Sequence, residues 1–259
     1  MINNDLGACD APLLAYLLQL ADTSLVLGHR LSEWCGHGPV LEQDLALANI
    51  ALDLLGEARS YYQYAAELEG RGRTEDDLAY LRSAVEYRNP LLVEQPNGDF
   101  AHTVVRQFLF DNFHYHLLKT LQASPDTQLA AIAEKSVKEA AYHLKWSSEW
   151  LIRLGDGTDE SRRRLDKALA TLWRYADELI QPTPVETALQ ELGVLPDYAA
   201  LLPAMQAHAA HVLAEATVPA PAGPSYRGVG GKLGRHSEHL GYLLAELQYM
   251  QRAYPGLSW

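Results

Sequence analysis

Cysteine is nearly absent, with Cys9 and Cys35 the only two in 259 residues. That excludes a disulfide framework as the source of stability and leads us to expect a reducing compartment. Basic residues are also scarce: 21 Lys and Arg stand against 33 Asp and Glu, for a formal charge of −12. Such a deficit opposes attachment to a nucleic-acid backbone or an anionic membrane surface. No apolar run reads as long enough to span a membrane. The opening MINNDLGACDAP has acidic residues where a secretory leader would carry Lys or Arg, so the expected location is cytoplasmic. Strand-like alternation of useful length and repeats of fixed period are missing as well. What remains, 48% hydrophobic and 21% charged, is a chain able to bury a large core as a single domain.

The pattern that is present is helical. Leu13, Leu14, Leu17, Leu18, Ala21, Leu25 and Val26 recur at three- and four-residue steps, which predicts a helix over 11–34. Glycine and proline at 36–39 break it. Further helices are predicted over 41–69, 74–86, 100–122 and 127–154, then 159–179, 183–192, 198–216 and 236–252. Residues 89–98 read as an extended stretch ending in a turn, and 218–234 as a Pro- and Gly-rich loop. Two long helical hairpins joined by the long connection 71–99 have the connectivity of a ferritin-like bundle. The predicted architecture is therefore all-α: a ferritin-like four-helix core over about 11–154 with additional C-terminal helices over about 159–253.

Two-iron bundles of this kind take a Glu from each of two helices and Glu-x-x-His from each of the other two. Three residues turn a helix through about 300°, which places carboxylate and imidazole on one face. The long helices contain no Glu-x-x-His. Instead, 57–60 reads Glu-Ala-Arg-Ser, with Ser60 where the imidazole would stand. Residues 139–143 read Glu-Ala-Ala-Tyr-His, with Ala140 three before His143. Asp111 and His114 have the right spacing but no matching second motif, and the first helix offers Asp22 and Ser24. The bland reading of each is an ion pair or a hydrogen-bonded core histidine: Glu57 with Arg59 or another helix, His143 with Glu139, Asp111 with His114.

Several blocks carry a resemblance that spans nearly the whole chain. They are LADTSLVLGHRLSEWCGH (20–37), LALANIALDLLGEAR (45–59), LLVEQPNG (91–98), KEAAYH (138–143), EHLG (238–241) and LAELQYMQR (244–252), with Trp259 at the end. The chain resembles the C subunits of the bacterial multicomponent phenylacetyl-CoA epoxidase, the ring-1,2-phenylacetyl-CoA monooxygenase. In that complex a related A subunit holds the diiron centre and binds phenylacetyl-CoA. The C subunit pairs with it as a structural scaffold, a small B subunit bridges assemblies, and a flavin and iron–sulfur reductase supplies electrons. Laid against the catalytic subunit, the iron-ligand positions fall on Ser24, Glu57, Ser60, Asp111, Ala140 and His143. Half the donors are gone. The resemblance thus implies no cofactor and no catalytic or metal-binding residues in this chain. The diiron centre is expected in its partner, and neither nucleic acid nor membrane is expected as a partner. A homodimer is an alternative state of the chain alone.

Two rival functions stay open at this point. One is an autonomous diiron oxygenase using Glu57, Asp111, His114, Glu139 and His143. The other is a protein that binds the CoA ester, for which Arg227, Lys232 and Arg235 are candidate phosphate contacts. The glycine-rich run at 228–234 is not a P-loop, because Tyr226 and Leu233 stand where a glycine and a hydroxyl residue are needed. His236 and His239 suit a helix cap or a contact between subunits better than zinc, which would need two further ligands. Cys35 reads as a small packed residue. Tyr61, Tyr62, Tyr64, Trp146 and Trp150 read as core, with any surplus going to an interface between subunits. Glu57, Asp111, His143 and Asp22 are expected to satisfy one another where the irons would be.

Overall fold

The computed structural model describes residues 10–221 and 228–257. The N-terminal segment with Cys9, as well as Tyr226, Arg227 and Trp259, lies outside them. Among the described residues there is helix and no strand.

Helix α1 (Asp10–Ser32) buries Leu13, Tyr16, Leu17, Ala21, Leu27 and Leu31. It contains an 18-residue window of mean hydropathy 1.4, long and apolar enough to cross a membrane, which corrects the reading that no such run exists. Of that window, 72% is buried inside the protein. A central bundle helix covered on most sides acquires the same composition as a membrane span. Helix α2 (Leu41–Glu69) returns alongside α1 and stops at Gly70, whose φ of 63° takes the left-handed cap that closes on the Ala66 carbonyl.

The connection contains α3 (Glu75–Tyr80), started by a reciprocal Thr74–Asp77 capping box, and a single helical turn, α4 (Leu91–Glu94), where an extended stretch of chain is expected. The turn forms because side chains hold it. Arg106, fully buried on the next helix, donates to the Gln95 carbonyl at 2.6 Å and to Asn97 Oδ1 at 2.7 Å. Gly98 then takes a φ of +59° that other residues resist.

Helix α5 (Phe100–Leu121) begins at Asp99, which accepts from the His102 amide, and α6 (Thr127–Gly155) begins at Asp126, which accepts from the Leu129 amide. Helices α1, α2, α5 and α6 make two hairpins, and α2 lies along α6. Helix α7 (Asp159–Leu172) covers α5. The stretch expected as one helix over 159–179 breaks at a 3-10 turn, after which α8 (Ala176–Ile180) resumes. Helices α9 (Pro184–Glu191) and α10 (Leu202–Glu215) follow, α9 packing on α1. The final helix splits at Gln248 into α11 (Glu238–Leu247) and α12 (Tyr249–Ala253).

The aromatic residues do not form one cluster. Because α2 and α6 run antiparallel, Tyr64 meets Asp126 at one end, whereas Trp146 donates to Gln43 at the other. Phe100 makes edge-to-face contacts with Trp34, Trp146 and Trp150 at centroid distances of 6.1, 6.3 and 5.1 Å. Tyr61, Tyr62 and Trp146 are buried, and Tyr64 and Trp150 are partly buried and packed against the core. Cys35, expected to be packed, is exposed.

Candidate functional site

The interior between α1, α2, α5 and α6 is polar where a plain bundle would be apolar. Ser24, Glu57, Asp111, His114, His143 and Ser147 are all buried there. Glu57 Oε1 lies 2.9 Å from His114 Nε2 and accepts from the Ser24 hydroxyl at a long 3.4 Å. Asp111 uses both oxygens, accepting from Gln107 Nε2 at 2.6 Å and from the Ser147 hydroxyl at 2.8 Å. His143 Nε2 lies 3.0 Å from Asp53 Oδ2 at the edge of the α2–α6 seam.

Charge follows this geometry. Burial pushes the Asp111 carboxyl up to about 6, against the pull of His143, of its hydrogen bonds to Ser147 and Gln107, and of His114. Burial alone would lower His114, but the Glu57 carboxylate, with help from Asp111, more than reverses it and favours the imidazolium. The fully buried Tyr61 phenol is held neutral by burial and by the charge of Glu57 beside it.

These residues do not fit a pair of irons. Such a centre needs carboxylates and imidazoles converging from four helices. Ala140 offers no donor, and Ser60 is half-buried with its hydroxyl donating to the Gly56 carbonyl within α2. Glu139 sits half-buried at the α2–α6 rim, where burial and Asp53 raise its pKa. Among the described residues no group of three or more His, Cys, Asp or Glu is arranged to hold a metal ion. The cavity beside Glu57, His114 and Ser24 is about 20 Å³, room for one water molecule and far below what an organic substrate needs.

Several pairings differ from expectation. Of the two partners expected for Glu57, the one on another helix is found, His114 of α5, whereas Arg59 turns outward to Glu75. The hydrogen-bond partner of His143 is Asp53, and that of Asp111 is not His114. Asp22 leaves the interior cluster altogether. It pairs with Arg82 through both oxygens, accepts from the Tyr62 hydroxyl at 2.6 Å and receives the Arg88 amide at 2.8 Å. Sequence reasoning missed Asp53, Gln107 and Ser147. Their signal was there: each stands four residues from Glu57, Asp111 or His143 on the same helix face.

The glycine-rich loop is also occupied from within. Glu178 accepts the amides of Leu91, Gly230 and Lys232, filling with a carboxylate the nest that a phosphate would need. Lys232, a candidate phosphate contact, is buried and donates to Glu186 Oε1 at 2.7 Å and to the Gln181 carbonyl at 2.8 Å. Arg235 is exposed. His236 is neither cap nor free contact: its two nitrogens lie 2.9 Å from Glu94 Oε2 and 3.0 Å from the Tyr87 carbonyl. Glu94 also accepts the Ser237 amide at 2.6 Å, so this carboxylate of the LLVEQPNG block ties the last helices to the bundle.

Residues 4–259 match the family described as phenylacetic acid catabolic protein. The chain belongs to that family. One of its relatives is the C subunit of 1,2-phenylacetyl-CoA epoxidase from Escherichia coli (strain K12), 51% identical over 247 residues. The alignment covers 95% of this chain and 99% of that one. A match of that extent takes in the helices of the interior polar cluster, the LLVEQPNG turn and the C-terminal helices together. The all-α bundle expected from periodicity and connection lengths is the fold of this family member.

Proposed function

We propose that this chain is a structural subunit of a phenylacetyl-CoA epoxidase that pairs with, and braces, a separate diiron subunit. It takes part in the aerobic breakdown of phenylacetate without performing the chemistry. The single observation that carries this reading is the pairing of Glu57 with His114. Imidazole from α5 takes up the carboxylate that the resemblance aligns with an iron ligand, and Gln107 and Ser147 do the same for Asp111. A buried carboxylate left alone is costly, so losing the metal requires such substitutes, and here they are in place. The Escherichia coli relative, itself a component of a multisubunit epoxidase, supports membership of such an assembly. The small bridging subunit and the reductase are further members, the reductase acting on the partner and not on this chain. The chain works in the cytoplasm, in keeping with its two cysteines.

A scaffold acts on catalysis through geometry: helices packed on the partner fix the groups that orient its iron ligands. The test is reconstitution. Phenylacetyl-CoA turnover by the diiron subunit and reductase is measured with and without this chain. Turnover that rises on adding the chain, with the wild type and an E57Q, D111N double variant equally effective, is expected. Activity lost in the double variant while it still joins the complex would place the chemistry here and refute the scaffold reading.

A further inference from the structure

The outer face of α2 is dressed for a neighbour that the described residues do not supply. Leu41, Leu45 and Leu52 are 72%, 57% and 65% exposed, and with Asn49 and Gly56 they recur at steps of three and four along one face. That is the spacing with which one helix receives another. Tyr142, 51% exposed on α6, extends the apolar area across the seam. The helix has 29 residues, about 43 Å of straight ridge.

Gly56 is the telling residue. Glycine in mid-helix is unfavourable relative to alanine, and usually a close neighbour within the fold requires it. A Cβ added at Gly56 would meet nothing within 4 Å. Among the described residues nothing asks for its bareness, whereas a second helix backbone crossing at that point would. The edge of the same face is acidic. Asp53 is one-third exposed and, among the described residues, has only the imidazole of His143 paired with it. Glu139, half-buried, has its pKa raised by burial and by Asp53 against the pull of His143 and Lys135. A cation brought by a neighbour would relieve both.

We infer that the α2 face centred on Leu45, Leu52 and Gly56 is the docking surface for a long helix of the iron-bearing subunit, one that crosses closely at Gly56 and brings a Lys or Arg to Asp53 and Glu139. This rests on the pairing proposed above and adds which face makes it and what chemistry the partner helix presents. A second aromatic face, with Tyr242 and Tyr249 exposed on α11 and α12, lies elsewhere and serves as the comparison.

The experiment uses the full chain and the purified diiron subunit, with affinity measured by titration calorimetry. In the free chain Gly56→Leu fills open space with a better helix former, so its thermal stability should hold or rise. Its affinity for the diiron subunit should nonetheless fall at least about tenfold. Glu139→Lys should weaken binding in the same direction, most strongly at low salt, while Tyr242→Ser with Tyr249→Ser leaves it within about twofold. If the wild type itself shows no binding, the pairing proposal fails. If the wild type binds and Gly56→Leu binds as tightly, the pairing stands and this face is wrong. Weakening confined to the tyrosine variants, or a Gly56→Leu effect only on self-association of this chain, would likewise overturn the assignment.

Discussion

Replacing Asp111 by Asn should stabilise the protein, and by an amount that grows with pH. The carboxyl is fully buried and its pKa is raised from an ordinary 3.8 to about 6. A raised acid contributes stability that is fully present below its unfolded value and lost as pH rises through the folded one. At about 1.36 kcal/mol per pH unit, the gap between 3.8 and about 6 means that ionising Asp111 inside the protein costs about 3 kcal/mol by pH 8. Roughly half of that is already felt at pH 5. Asn keeps the shape and never ionises. Its oxygen can accept from Ser147, and its amide can donate to Gln107 Oε1, which has no partner at present, once that amide is turned. Urea unfolding followed by circular dichroism at pH 5, 6.5 and 8 reads the difference directly, with the slope m checking that the unfolded state is unchanged. The variant should gain about 1.5 kcal/mol more at pH 8 than at pH 5. A gain that is flat with pH would mean that folding does not raise the Asp111 pKa at all, and a loss that deepens as pH rises would mean that the anion is a favoured species, as in a site built to hold cations.

The same cluster gives a prediction of opposite slope. His114 is favoured as the imidazolium by Glu57, so that contribution is present below the ordinary histidine range and lost as pH rises through the raised value. Glu57→Gln should cost about 3 kcal/mol near pH 6 and about 1 kcal/mol near pH 9 in the same urea assay; an equal cost at both would show that the pair is neutral. Outside the cluster, Asp22→Ala strips Arg82 of its carboxylate in a fully buried place. It should cost about 4 kcal/mol, and a loss under about 1 kcal/mol would show that water reaches the guanidinium.

Much of the fold is written in local pattern. The apolar steps of α1 and α2, the capping aspartates at 99 and 126, and Gly70 each fix an element by short-range physics. The short turn α4 was not legible, because it is held by Arg106 from α5 and by Arg30 donating to the Glu94 carbonyl from α1, contacts far apart in sequence. The same limit explains the site. Periodicity tells which face of a helix Glu57, Asp111 and His143 occupy, but not at what height they meet residues of other helices. That height depends on how the hairpins are set against each other, which pairs Glu57 with His114, His143 with Asp53, and sends Asp22 to Arg82. Lys232 reads as a solvent-facing cation in a glycine-rich loop; only Glu178, which folds that loop back on the bundle, makes it a buried partner of Glu186.

Iron content tests the central claim most directly. The chain is assembled with the iron-loaded diiron subunit, separated from it under conditions that retain bound metal, and its iron is counted by plasma mass spectrometry. With Glu57 given to His114 and Asp111 to Gln107 and Ser147, the iron should stay with the partner and this chain should carry a trace. A stoichiometry near two irons per chain, the content of a working bundle centre, would contradict the account.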